Sequence, residues 1–167
     1  MIAIRKIREV DAPAFLELCL KLDRETQFMM LEPGERKISP DEQRRKIKEI
    51  LARNNQMVFV AESDNELIGY LAAFGGDFKR NRHCAYIIVG ILQAFAGRGI
   101  GKKLFSEAEH WARQNNIHRL ELTVMRHNER AVNLYQKMGF ETEGVKKDSL
   151  LVNKKYIDEY YMAKLLS

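Results

Sequence analysis

The order of apolar and polar positions divides the chain into alternating strands and helices. Ile2, Ile4 and Ile7 in the opening run IAIRKIR (2–8) predict a first strand. Asp11 reads as the cap of a helix running to about Gln27, with Pro13 tolerated in its first turn and Phe15, Leu18, Cys19 and Leu22 on one stripe. SPDE (39–42) reads as a full capping box, with Ser39 as the cap and Glu42 reaching back. The helix it opens runs to about Asn54 and carries Ile47, Ile50 and Leu51 on one face. MVFVAES (57–63) and ELIGYLAAF (66–74) flank Asp64-Asn65, a tight-hairpin signal. CAYIIVGIL (84–92) is apolar almost throughout, which predicts a central strand buried on both faces. Gly90 inside it predicts a bulge or a close backbone approach. Leu104, Phe105, Ala108, Trp111 and Ala112 then repeat at helical spacing, and HRLELTV (118–124) alternates as a strand with two unlike faces. NERAVNLYQKMGF (128–140) opens on Asn128 as a cap and stops at Gly139, a helix-ending glycine. A last strand pair fits 139–147 and 154–166, and neither repeat nor linker breaks the chain, so one domain is expected over 1–167.

Composition narrows this only a little. Hydrophobic residues make up 46% and charged residues 31%, the balance of a globular chain rather than a disordered one. No apolar stretch reaches membrane-span length, and the opening run carries charges without a small-residue cleavage site, so no signal peptide is expected and cytoplasm is the default location. Two cysteines, Cys19 and Cys84, make neither a disulfide framework nor a metal-ligand spacing, so no metal is expected. The formal charge of +5 favours anionic partners, such as a phosphate-bearing cofactor or nucleic acid. Nucleic acid ranks last, because Phe78 is the only aromatic beside the basic run KRNR (79–82). A homodimer is left open.

The chemistry concentrates in FAGRGIGKKL (95–104), which packs Gly97, Gly99 and Gly101 between a strand pattern and a helix pattern. A nucleotide-triphosphate loop would need glycine at Ala96 and a hydroxyl at Lys103, and lacks both. A dinucleotide fingerprint would need glycine at Lys102 or Leu104. What survives is the underlying physics. Small residues expose backbone N–H groups where a helix begins, and that helix end carries partial positive charge and unpaired donors suited to a pyrophosphate. Arg98, Lys102 and Lys103 add charge. The competing reading is a glycine turn that merely lets a strand meet a helix.

GRGIGKKLF, followed about thirty residues later by NERAVNLYQKMGF, resembles the GNAT superfamily of N-acetyltransferases, strongly over 85–145 and by element order elsewhere. The resemblance implies a mixed, mostly antiparallel α/β (α+β) sheet of about seven strands with splayed central strands, flanked by about four helices. It implies acetyl-CoA as cosubstrate. The pantetheine arm would lie along the end of YIIVGILQ, at Val89, Ile91 and Leu92, with Gly90 fitting the family's bulge. The pyrophosphate would sit on the amides of Gly97, Arg98, Gly99, Ile100, Gly101 and Lys102. Asn128 and Tyr135 match polar positions facing the cofactor. The residue before the first loop glycine, usually Gln or Arg in this family, is Ala96 here, which implies somewhat weaker cofactor binding.

Acetyl transfer to an amine requires a deprotonated amine, stabilisation of the thioester oxygen and a proton for the departing thiolate. Tyr135 is the expected donor, since a phenol near pKa 10 stays protonated at neutral pH and a thiol near 8.5 is close enough for transfer. Cys84 lacks the cationic setting that activates a thiol. The strand 84–92 has no carboxylate; Tyr86 stands where some relatives place an acid, and the base is left open among His83, Glu32 and a water. Fold analogy puts 23–38 beside the acceptor, where Glu25, Glu32 and Glu35 would suit a cationic amine such as a polyamine, an aminoglycoside or a protein N-terminus. The alternative is a non-catalytic CoA-binding or regulatory module on the same fold.

Overall fold

The computed structural model describes residues 1–167. Seven strands are β1 (Ile2–Lys6), β2 (Gln56–Ser63), β3 (Glu66–Gly75), β4 (Cys84–Ile91), β5 (Arg119–Met125), β6 (Glu141–Val152) and β7 (Lys155–Leu165). Four helices are α1 (Ala12–Glu25), α2 (Pro40–Leu51), α3 (Ile100–Gln114) and α4 (Glu129–Lys137), and their order along the chain is the one the patterning predicts. The strands form one sheet in the order β1-β2-β3-β4-β5-β7-β6. Every neighbouring pair is antiparallel except β4 and β5, because α3 makes the crossover that a parallel pair requires.

Adjacent residues of a strand face opposite sides of the sheet, which fixes where the helices lie. A Cβ placed on Gly90 would meet Leu22 of α1, whereas the side chain of its neighbour Ile91 reaches Gly101 of α3. So α1 covers one face and α3 the other. Tyr135 of α4 packs on Phe105 of α3, which puts α4 with α3.

Several local expectations need correcting. Asp11 makes no side-chain cap for α1; its carboxylate is taken by the Arg5 guanidinium (2.8 and 2.9 Å) and the Arg8 N–H (2.7 Å). Ser39 does cap α2 through the Glu42 N–H at 3.1 Å, but the Glu42 carboxylate returns no hydrogen bond, so only half of the capping box forms. The helices α1 and α2 end two or three residues short of their predicted ends. In β4, Ala85 and Ile87 are buried while Tyr86 and Ile88 are exposed by 36% and 37%, so the face toward α1 is covered at Gly90 but bare at Tyr86 and Ile88. Gly90 pairs with Tyr70 in unbroken register, with no bulge; its bare face instead admits Leu22, whose Cδ1 would lie 2.8 Å from an added Cβ. The strand predicted over 139–147 starts at Glu141 and runs on to Val152 through a register shift between Lys146 and Leu150, which the polar stretch Lys146-Lys147-Asp148 hides from a pattern search. The Asp64-Asn65 turn holds, the two residues having φ of +48° and +64°, as a type I′ hairpin needs.

Candidate functional site

Pairing between β4 and β5 lasts only from Cys84↔Arg119 to Tyr86↔Glu121. From Ile87 onward the edge of β4 that faces β5 has no strand partner, so a wedge opens in the middle of the sheet. At its apex the Tyr86 and Thr123 hydroxyls meet at 2.7 Å and bridge the two strands. At its mouth β4 runs into a short 3₁₀ turn (Gln93–Phe95) and then into the glycine loop.

Gly97 and Gly99 have φ of +78° and +76°, and an added Cβ at either would meet nothing within 4 Å. Their glycine is demanded by backbone conformation, not by crowding. Gly101 differs: an added Cβ would lie 2.7 Å from Leu134 of α4, so this third glycine serves helix packing. The loop ends at the α3 N-terminus, where the first helical bond is Lys103 N–H to the Gly99 carbonyl at 3.2 Å. The amides of Gly97, Arg98, Gly99, Ile100, Gly101 and Lys102 donate to no group of the chain. Unpaired donors at the positive end of a helix form an anion site. Arg98 stacks over Phe95 at 5.1 Å from the ring centroid, and Lys102 and Lys103 are exposed beside it.

Tyr135 is 7% exposed, its ring set edge-on against Phe105 and near Phe140. Burial raises its phenol pKa well above the ordinary value, and the nearby Tyr86 phenol adds to the shift. The Tyr135 hydroxyl makes no hydrogen bond, yet no sealed side-chain oxygen or nitrogen in the structure lacks a partner. The hydroxyl therefore keeps a small exposure while its ring stays in the core. Asn128 caps α4 by accepting from the Ala131 N–H at 3.4 Å, so its carboxamide oxygen has a structural duty.

On the α1 face, a pocket of about 440 Å³ lies between the α1–α2 connection (Asp23 to Pro33), Met125 at the end of β5 and the tip of the β6–β7 hairpin (Leu150 to Asn153). Arg36 pins the connection back onto α1, its Nε and Nη2 donating to Asp23 at 2.7 and 3.1 Å. The Asp23 side chain is 2% exposed, and its hydrogen bonds raise the Arg36 pKa.

Residues 20–140 match the model of the acetyltransferase (GNAT) family. The chain belongs to that family. It is 34% identical over 110 residues to the L-amino acid N-acetyltransferase AaaT of Escherichia coli (strain K12), a match covering 64% of this chain and 66% of that one. The chain thus spans just under two thirds of that relative's length. Among solved structures, an acetyltransferase of the GNAT family from Streptococcus pneumoniae superposes over 100% of both chains with a TM-score of 0.96 and 29% identity. The fold is also that of yncA from Salmonella typhimurium, solved with its cofactor acetyl-CoA, at a TM-score of 0.87, 20% identity and coverage of 99% and 94%.

In this GNAT chain the residues singled out by sequence fall into two groups. Val89, Ile91, Leu92, the loop amides and Tyr135 gather around the wedge. His83 does not: it immediately precedes β4, its carbonyl receives the His118 and Arg119 N–H groups, and roughly 3.3 Å of rise per residue puts it about 26 Å of strand away from Ile91. Cys84, next to it, is pushed up in pKa by burial, with the Glu121 charge adding to the shift. Of the three acidic candidates on the acceptor side, Glu35 turns back to accept from the Glu32 N–H (2.7 Å) and Glu25 accepts from the Gln93 N–H (2.7 Å). Glu32 lines the pocket with its carboxylate unengaged. Sequence reading missed the Asp23–Arg36 fork and the Tyr86–Thr123 bridge. Their partners stand 13 and 37 residues apart, and nothing local signals either pair.

Proposed function

We propose that this chain transfers the acetyl group of acetyl-CoA to a primary amine of a small molecule or a protein N-terminus, by direct attack of the amine on the thioester. The six free amides from Gly97 to Lys102, set at the mouth of a wedge whose β4 edge is also free, carry this reading. The loop amides would hold the pyrophosphate, with Arg98 and Lys102 adding charge, and the free edge at Val89 and Ile91 would pair with the pantetheine arm as an added strand, whereas Leu92 is spent, its N–H on the Ile68 carbonyl and its carbonyl on the Phe95 N–H. Ala96 offers no side-chain contact there, but the backbone cradle does not depend on it.

Tyr135 would give a proton to the thiolate as it leaves. Its raised pKa keeps it protonated at any working pH. Burial that raises the phenol also raises a thiol held in the same dry gap, so the two stay closer in acidity than the phenol's shift alone implies. The acceptor amine would approach from the α1 face, through the pocket beside Met125. A cationic amine suits Glu32 there, and the relative named for L-amino acids acts on molecules that carry an ammonium group.

A module that merely holds CoA would share the loop and the wedge but has no use for an acceptor pocket on the opposite face. Calorimetric titration with acetyl-CoA, followed by a thiol-release assay across a panel of amines, separates the readings. Saturable binding with amine-dependent thiol release is expected. Absence of saturable binding up to millimolar acetyl-CoA overturns the proposal, and binding without transfer to any amine leaves the CoA-holding module.

A further inference from the structure

Glu159, on β7, is 5% exposed and forms no ion pair. Carboxylates are almost never buried this far unless paired with a cation. Two cations lie close but are committed elsewhere. Lys146, its cross-strand partner on β6, leans over the Tyr161 ring at 5.9 Å, and Arg126 sits 3.6 Å from Asp158. The one group bonded to the Glu159 carboxylate is the Ser149 hydroxyl, at 2.9 Å. Ser149 reaches it because β6 breaks register between Lys146 and Leu150, with Asp148 at φ +48° and its N–H bonded to Asp158 at 2.9 Å. Bulges of this kind re-aim side chains and recur beside functional sites. The second carboxylate oxygen has no partner, and since no sealed side-chain oxygen is left unpaired, it keeps a small exposure.

The sheet register sets Glu159 beside the residues that line the pocket, though not among them. Glu159 pairs with Met125, which lines the acceptor pocket, as does Leu150 just after the bulge. It shares a face with Thr123, and so with the Tyr86 bridge. Extending the β4–β5 register past Tyr86↔Glu121 sets Met125 level with Gly90, and Glu159 lies one strand spacing beyond, about 4.8 Å.

Resting on the acetyltransferase reading, we infer that Glu159, oriented by Ser149, is the specificity-determining residue that receives the positively charged amine of the acceptor, whose substrate class is accordingly a primary ammonium. An ammonium supplies the partner that the buried carboxylate lacks and donates a charge-assisted hydrogen bond to its free oxygen. A neutral isostere supplies neither.

The test is calorimetric binding of alaninamide, an N-terminal alanyl peptide and spermidine to the whole protein, with and without CoA. Lactamide serves as the uncharged counterpart of alaninamide. At least one cationic probe is expected to bind saturably while lactamide does not. Glu159→Gln, which keeps shape and loses charge, is expected to weaken that probe by about tenfold, and Ser149→Ala by about threefold, with CoA affinity unchanged. Equal affinity of the cationic probe for wild type and Glu159→Gln overturns the inference. Should the glutamine variant fold poorly, equal affinity for wild type and Ser149→Ala overturns it instead. Lactamide binding as well as alaninamide, or no cationic probe binding to the wild type, also overturns it. Failure to bind CoA is read in the same titrations and counts against the acetyltransferase reading alone.

Discussion

The two halves of the site are built from different materials. The proposed cofactor half, on the α3 side, is one continuous segment from β4 through the glycine loop into α3, and the groups it offers are backbone amides and a strand edge. The proposed acceptor half, on the α1 side, gathers side chains from α1 and the α1–α2 connection with others from β5 and the β6–β7 hairpin, about a hundred residues further along the chain. Backbone groups serve any sequence that keeps the conformation, so the first half suits a constant ligand. A wall of side chains can change identity without disturbing the sheet, so the second suits discrimination between acceptors.

The sharpest way to break this comparison is to cut the acceptor half at its pin. Arg36→Ala strands the Asp23 carboxylate in the core. By analogy with other broken buried pairs it should cost about 3 kcal/mol or more of stability and raise the acceptor KM, while leaving acetyl-CoA affinity intact. Chemical denaturation with parallel calorimetry checks this, and an equal loss of acetyl-CoA affinity would show that the halves are not separable. Next in size, Tyr135→Phe should lower kcat by about a hundredfold with acetyl-CoA affinity unchanged, measured where chemistry limits the rate. In the cofactor half, Gly99→Val forces a β-branched residue to φ +76° and should weaken acetyl-CoA by about tenfold, with little effect on the acceptor KM once acetyl-CoA saturates.

A control lies outside both halves. The Arg5 guanidinium, helped by the Arg8 N–H, holds the Asp11 carboxyl below its usual pKa. A lowered folded-state pKa contributes stability that is present above the unfolded value, near 4, and is lost as pH falls through the folded value. Asp11→Asn should therefore flatten the acid limb of the stability profile by about 1 kcal/mol and move neither ligand's affinity. The smallest effect is expected at the wedge apex. Tyr86→Phe removes the Thr123 hydrogen bond, at a cost of about 1 kcal/mol in stability, and a threefold or smaller change in acetyl-CoA affinity would be consistent with a gap set mainly by the backbone.

Much of the architecture was legible from periodicity, because each element carries its own signal. The Asp64-Asn65 turn, the Asn128 cap and the apolar stripe of α3 are all decided within a few residues. The backbone of the glycine loop was legible for the same reason: Gly97 and Gly99 announce a left-handed backbone, and the helix pattern starting after them announces its dipole. Where the local reading failed, a distant partner had won. Asp11 looks like a cap until Arg5 is folded beside it, and Gly90 looks like a bulge until Leu22 fills the space above it. β4 looks buried on both faces until the wedge bares Tyr86 and Ile88.

The sequence by itself determined the order of elements, the glycine loop and the helix start that follows it with free amides. These rest on backbone conformation and on short-range periodicity, which neighbouring residues settle among themselves. Only the tertiary structure decided how far β4 and β5 stay paired, that Arg36 clamps Asp23, and that Glu159 is buried with Ser149 as its lone partner. Those outcomes depend on which side chains the sheet brings within about 3 Å of one another, a distance that spacing along the chain does not encode.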